Sequence, residues 1–406
     1  HHNAMIQISP ETQLFIREHS SDDVRALALQ AKKYPDIDMP TAITQIAGRQ
    51  VAAEKIPSWR EMEEIWYPKH LSLEQCSSET TARYKARLFQ GDSLTDLTGG
   101  FGIDCSFLAA GFKSATYVER QEELCEIAAH NFPILNLNHI NVRNEDGVAY
   151  LQTMSPVDCI FLDPARRNEH GGKTVAISDC EPDVAGLEEL LLSKAKRIMV
   201  KLSPMLDLSL ALKELKHTQE VHILSVNNEC KELLLLLGQE APTEQAPPEE
   251  IPIRCANLFT KGAQEEQHFA FTREQEQHSQ CTYTDSLGDY LYEPNASLLK
   301  AGAFRSVAAA YSVRKLHPNS HLYTSDTFIE NFPGRIFRIV NQCSFNRKEA
   351  KESLADLKKA NVTVRNFPAT VAELRKRLHL TEGGDTYLFA STLNDGRKVI
   401  IRCEKV

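Results

Sequence analysis

The chain has 406 residues, 42% of them apolar and 25% charged, with a formal net charge of −9. That length exceeds one ordinary core and implies two or three domains. No apolar run approaches the ~20 residues of a membrane span and no signal peptide is visible. Ten cysteines without a CxxC pair or a Cys/His cluster at zinc spacing argue against a disulfide framework and a metal site, and read as reduced thiols of a cytoplasmic protein.

Residues 1–4 precede Met5 and read as a tag remnant. Residues 5–90 form a helical region: 11–19, 22–33, 40–54 and 78–89 carry apolar positions three and four apart, separated by Pro35, Pro40 and Pro57. The stretch Asp96-Leu-Thr98-Gly99-Gly100-Phe-Gly102-Ile-Asp104 then stands where a first strand turns into a helix. It lacks the GxxxxGK[ST] of a phosphate-binding loop and the GxGxxG of a dinucleotide site. Three glycines free the backbone for close approach by a ligand, and the flanking Asp96 suits a cationic one.

Four further strand ends follow. Residues 115–119 end in Glu119, 23 positions after Asp96, where an acid of a doubly wound sheet can hold ribose hydroxyls. Residues 140–143 lead into Glu145 and Asp146, acids able to accept an adenine amino group. Residues 157–162 deliver Asp163-Pro164-Ala165-Arg166-Arg167. Residues 197–202 place Lys201 near the same crevice, as a contact for substrate phosphate or as a lysine snorkelling from a strand end. Residues 91–240 thus alternate strand and helix, which implies a parallel sheet with helices on both faces. The close pair 220–226 and 231–237 reads as a hairpin, although the Leu-rich second arm also has helical propensity. After a proline-rich linker (240–250), 253–260 and 267–272 read as one more hairpin.

These motifs carry a family resemblance. DLTGGFGID, Glu119, DPARR and Asn228-Glu-Cys-Lys-Glu232 resemble a class I S-adenosylmethionine-dependent methyltransferase of the subgroup with a C-terminal THUMP-like domain. The resemblance implies an α/β chain: a Rossmann-like sheet, mostly parallel with an antiparallel last strand, a helical N-terminal region and a small α+β ferredoxin-like/THUMP-like C-terminal region. The boundaries expected are 1–90 helical, 91–285 catalytic, 286–333 ferredoxin-like and 334–406 THUMP-like. S-adenosylmethionine is the implied cofactor, with Asp96, Thr98, Gly99, Gly100, Gly102, Asp104, Glu119, Glu145 and Asp146 around it. Gln75 and Lys85, in a segment that precedes the loop in this family, either close over the methionine carboxylate or are polar surface.

The acceptor is less determined. In relatives that modify a planar amine, Asn/Asp-Pro-Pro-aromatic ends the fourth strand and holds the amine, a task for Asp163 and the Pro164 carbonyl. Arg166 stands in place of the aromatic; a guanidinium can stack on a base or grip a phosphate. Arg166, Arg167 and Lys201 are therefore the candidate substrate contacts, with ion pairing the plainer role for the arginines. Attack on a pyrimidine C5 needs a cysteine thiolate, and Cys159 and Cys180 lack a matching context.

From Tyr290 onward the chain holds 19 Lys and Arg against 11 Asp and Glu, which suits contact with a polyanion. YLYEP at 290–294 resembles the family's entry into its ferredoxin-like module. Residues 297–311 read as helix, and 334 onward as strand, helix (347–359), strand, helix (368–378) and a hairpin turning at Asn394-Asp395-Gly396. Structured RNA is the partner that the THUMP resemblance implies, and an RNA methyltransferase acting on a base nitrogen is the expected function. The alternatives are an RNA-binding scaffold with little catalysis and a methyltransferase of a small molecule or protein.

Overall fold

The computed structural model describes residues 7–72, 74–167, 176–239, 247–262 and 264–406. The tag-like residues 1–4 and residues 240–246 of the expected linker lie outside them. The chain divides into two compact units, residues 1–220 with 232–245 and residues 221–231 with 246–406.

The first unit begins with the helices Pro10–Glu18, Val24–Ala28 and Met39–Lys55. Ser9 and Asp38 cap the first and third through their side-chain oxygens. Phe15, Ile16, Leu27, Met39, Ala42 and Ile46 form their shared core, with Met39, Ala42 and Ile46 at the spacing that aligns one helical face. The helix expected over 22–33 is shorter, Val24–Ala28 followed by a 3-10 turn at Ala31–Lys33.

Next come strands β1 (Gly91–Asp96), β2 (Phe112–Glu119), β3 (Ile140–Asn144), β4 (Val157–Leu162), β5 (Ala195–Leu202), β6 (Thr218–Val226) and β7 (Glu229–Gly238). Within the first unit the order is β7-β5-β4-β1-β2-β3. The pairs β1–β2, β2–β3, β1–β4 and β4–β5 are parallel, and β5–β7 is antiparallel. From β1 the chain builds outward through β2 and β3, then returns to build β4 and β5 on the other side. That reversal opens a crevice at the carboxyl ends of β1 and β4, where ligands bind in open α/β sheets. Burial agrees with the apolar runs: Leu94, Tyr117, Val118, Ile160, Phe161 and Leu162 are each at most 1% exposed. The Leu-rich arm is strand, as its pairing with β5 from Lys201↔Leu234 to Arg197↔Gly238 shows. Asn227 and Asn228, with φ of +50° and +63°, make the tight turn between β6 and β7.

In the second unit, β8 (Ile253–Leu258) pairs antiparallel with β9 (Gln267–Phe271) and parallel with Val221–Val226 of β6. A seven-stranded sheet follows, made of β10 (Tyr290–Pro294), β11 (Arg314–Lys315), β12 (Tyr323–Ser325), β13 (Gly334–Ser344), β14 (Asn361–Arg365), β15 (Thr386–Thr392) and β16 (Lys398–Lys405). Its order is β11-β12-β10-β13-β16-β15-β14. The ferredoxin-like and THUMP-like segments thus share one sheet, joined where β10 pairs with β13. Alternation along β15 serves both faces: Leu388 and Ala390 pack with Leu354 and Leu374, while Phe389 packs with Leu291 and Phe337. The helix expected over 297–311 is two, Ala296–Ala301 and Phe304–Tyr311. Gly302, at φ +75°, ends the first by donating to the carbonyls of Leu298 and Leu299.

Candidate active site

The loop after β1 is held from three sides. Asp96 Oδ1 accepts from Thr98 N–H at 2.9 Å and from Thr98 Oγ1 at 3.3 Å, and Thr98 Oγ1 accepts from Asp163 N–H at 2.8 Å. This chain of bonds locks the end of β1 to the end of β4. Glu119 holds the loop from β2: Oε1 accepts from Gly100 N–H at 2.9 Å and Oε2 from Gln121 N–H at 2.8 Å. Each carboxylate oxygen keeps a lone pair for a ligand hydroxyl.

The glycines serve different ends. A Cβ on Gly99 would lie 2.4 Å from the ring of Tyr117, whose hydroxyl donates to the Gly100 carbonyl. Close packing against the protein therefore requires Gly99. Gly100 and Gly102 have φ of +59° and +91°, and of the loop's three glycines only Gly100 is uncrowded where a Cβ would stand, its nearest atom being 3.6 Å away, an ordinary van der Waals distance. Gly99→Ala should destabilise the protein by about 1–3 kcal/mol through overpacking, read as a lower midpoint in urea unfolding. An unchanged midpoint would show that Tyr117 moves aside without cost.

Two recesses meet at this loop. One, of about 210 Å³, is lined by Asp96, the glycines, Asp104, Gln75 and Ser77. The other, of about 390 Å³, is lined by Glu119, Asp146, Val148, Arg120, Arg166 and Arg167. Thr98 and Asp163 border both. Of the two acids after β3, Asp146 reaches the wall and caps the helix Gly147–Thr153 through Ala149 N–H. Glu145 turns away to Arg143 at 2.7 Å.

Burial governs the charges. Asp96 is 1% exposed; desolvation, with Asp104 and Asp163 nearby, pushes its carboxyl up to about 8 against the pull of the Thr98 hydrogen bonds. Asp163 is 43% exposed along its side chain, yet desolvation by the surrounding walls raises its carboxyl too, with Lys201 opposing. For Asp104 burial works upward, but Lys201 and Lys85 more than offset it and hold the carboxyl low. The thiol of Cys159 is pushed up to about 11 by burial inside β4, and that of Cys180 is raised as well, so neither is a ready nucleophile.

The lysines differ most from the sequence reading. Lys85 is fully buried, 2.8 Å from Asp104 and 2.6 Å from Glu232, so it faces the protein interior and is neither a lid over a ligand carboxylate nor surface. Lys201, far from being a free cation for phosphate, lies within 4 Å of Asp104, Asp163 and Glu232. Glu232 has no assigned role in the sequence reading. Its signal is the acid directly before the five leucines of that arm, as that of Lys85 is a lysine on the buried face of the helix Glu79–Leu88. Arg166 and Arg167 sit in the short strand pair Ala165–Arg166 with Cys180–Glu181 and the turn after it.

Two family models match the chain, a ferredoxin-like domain over residues 290–333 and a THUMP domain-like one over 334–405. A crystal structure from Porphyromonas gingivalis W83, described as a "putative methyltransferase", is 35% identical with a TM-score of 0.86, covering 99% of this chain and 100% of that one. A "class I S-adenosylmethionine-dependent methyltransferase" from Listeria monocytogenes, also so described as putative, is 12% identical with a TM-score of 0.39, over 62% of this chain and 94% of its own. No curated protein matches the chain. With 35% identity to the Porphyromonas protein over almost its whole length, the chain belongs to the same family as that protein, with a ferredoxin-like and a THUMP domain-like segment at its C-terminal end.

Proposed function

We propose that the protein methylates a base nitrogen of RNA at Asp163-Pro164, using S-adenosylmethionine. The observation that carries this reading is the meeting of two unlike recesses at Asp163. The smaller offers a buried acid, Asp96, and the open face of Gly100, which fit the ammonium-bearing methionine end. The larger offers Glu119 for ribose hydroxyls and Asp146 for the adenine amine. When bound, the cofactor supplies an electrophilic methyl group on a sulfonium: the acceptor nitrogen gains the methyl, sulfur keeps the bonding electrons and nitrogen sheds a proton. Asp163 and the Pro164 carbonyl accept the amine's hydrogens and orient its lone pair, and the proton leaves by way of the Asp163 carboxylate. Arg166 and Arg167, on the wall of the larger recess, supply cationic planes for a base or phosphate of the acceptor.

RNA as acceptor rests on the second unit. Among the described residues Arg347, Lys351, Lys376 and Arg377 enter no ion pair; they surround a cavity of about 780 Å³ between the helices Arg347–Ser353 and Val371–Leu378. Replacing Lys376 and Arg377 together by Glu should weaken RNA binding about tenfold and lower the salt slope by about two; a filter-binding salt titration with an unchanged slope would remove this surface from the RNA contact. The class is tested by incubating the protein with methyl-labelled cofactor and total RNA from cells lacking it, then resolving nucleosides by mass spectrometry. One labelled nucleoside is expected. Label confined to protein or small molecules would replace RNA by those acceptors.

A further inference from the structure

The ions behind Asp163 form a built cluster. Lys201 Nζ donates to Ser77 Oγ at 2.7 Å and lies 3.4 Å from Asp104 Oδ2, 3.4 Å from Asp163 Oδ2 and 3.8 Å from Glu232 Oε2. Behind it Lys85 Nζ lies 2.8 Å from Asp104 Oδ1 and 2.6 Å from Glu232 Oε1. The Lys85, Asp104 and Glu232 side chains are 0%, 8% and 5% exposed and that of Lys201 12%, whereas Asp163 is 43% exposed. Two ammonium groups therefore lie among three carboxylates; Asp104 and Asp163 both border the smaller recess, and Asp163, the least buried of the three, also borders the larger. Asp96, lining the smaller recess, adds a further acid.

Stability alone gives a poor account of this arrangement. Buried ion clusters are often no better than apolar packing of the same volume, because desolvating each charge costs about as much as the pairing returns. A structural staple would also balance its charges, and this one leaves an excess of negative charge facing an opening. In a partly desolvated wall such an excess favours a cation at that opening.

We propose that Lys201 is a positioning residue: backed by Asp104 and Glu232, it fixes the Asp163 carboxylate, ionised, at the junction of the recesses, so that the site favours a cationic sulfonium cofactor over its neutral thioether product. The inference rests on the methyltransferase reading above. Its consequence is that transfer, by removing the charge on sulfur, also removes an attraction and promotes exchange of the spent cofactor. Lys85 is the rear anchor, since it fixes the Asp104 and Glu232 carboxylates that orient Lys201.

The test is calorimetric binding to the full chain with two probes, S-adenosylhomocysteine, neutral at sulfur, and sinefungin, which carries an amine in place of the methyl-bearing sulfonium. The protein should bind sinefungin about tenfold more tightly than S-adenosylhomocysteine at pH 7.5. Asp163→Asn, which keeps the side chain's shape, should bring the two to parity at every pH. Lys201→Met should weaken the preference near neutral pH and recover part of it as pH rises, because burial then raises the Asp163 carboxyl without Lys201 opposing it; Lys201→Arg should keep the preference throughout. Thermal unfolding checks that each variant is folded, and Asp163→Asn decides the matter if Lys201→Met is not. A preference that survives Asp163→Asn, or one that Lys201→Met leaves unchanged at all pH values, overturns the proposal. Failure of the unaltered protein to bind either probe would instead overturn the methyltransferase reading on which it rests.

Discussion

Asp163→Ala is expected to lower methyl transfer into RNA by about 10³-fold while weakening S-adenosylmethionine by no more than about tenfold. The asymmetry follows from where the residue stands. Its backbone N–H is tied to Thr98 Oγ1, so the end of β4 keeps its place when the side chain is removed. Its carboxylate opens at the junction of the recesses, where the proposed function puts the acceptor amine. The glycine loop, Asp96 and Glu119 keep their mutual bonds. Loss of the carboxylate therefore removes orientation of the acceptor, and only the attraction between Asp163 and a positive charge is lost from cofactor binding. Single-turnover rates with labelled cofactor, set beside its dissociation constant by calorimetry, separate the two. Equal losses in rate and affinity would make Asp163 a cofactor ligand alone.

Local pattern carries much of this fold. Residues 157–162 form a strand with those bounds because six apolar or half-buried positions end abruptly at Asp163-Pro164. The helix expected over 347–359 stops instead at Ser353; beyond it Leu354 and Ala360 turn into the core shared with Leu374 and Leu388, and that tertiary packing overrides the polar helical pattern. The Leu-rich arm is ambiguous in isolation and becomes strand by pairing with β5. In the site, Asp163 is readable because it closes the apolar run 157–162, Asp96 because three glycines follow it, and Glu119 and Asp146 by their place at or just after successive strands. The ion cluster is not readable in this way. Lys85 and Glu232 are 147 positions apart, and no periodicity links a helix before the first strand to the start of the last. Gly99 shows a subtler limit: its sequence context suggests room for a ligand, whereas Tyr117 from the neighbouring strand occupies that side.

Asp96→Asn should have opposite effects on the ligand-free and ligand-bound protein, and pH separates them. In the folded ligand-free chain the Asp96 carboxyl titrates at about 8, against about 4 when unfolded. A carboxyl raised by folding contributes stability that is complete below its unfolded value and is lost as pH rises through its folded value. The ligand-free protein therefore gives up on the order of 5 kcal/mol between pH 4 and pH 9 through this one group. Asn keeps the acceptor for Thr98 N–H and does not titrate, so the variant should unfold at a higher temperature than the parent at pH 8.5 and differ little at pH 5. Cofactor binding reverses the ranking. An ammonium beside Asp96 favours the carboxylate, so association at pH 7 should release close to one proton, visible as a calorimetric enthalpy that depends on the buffer. Affinity of the parent should rise with pH toward 8, while Asp96→Asn should bind at least about tenfold more weakly and release no proton. A variant that binds as tightly as the parent, or a parent that releases no proton, would place the cofactor's ammonium elsewhere. On the proposed function, the same buried acid is costly to ionise when the chain folds near neutral pH and suits a ligand that carries positive charge.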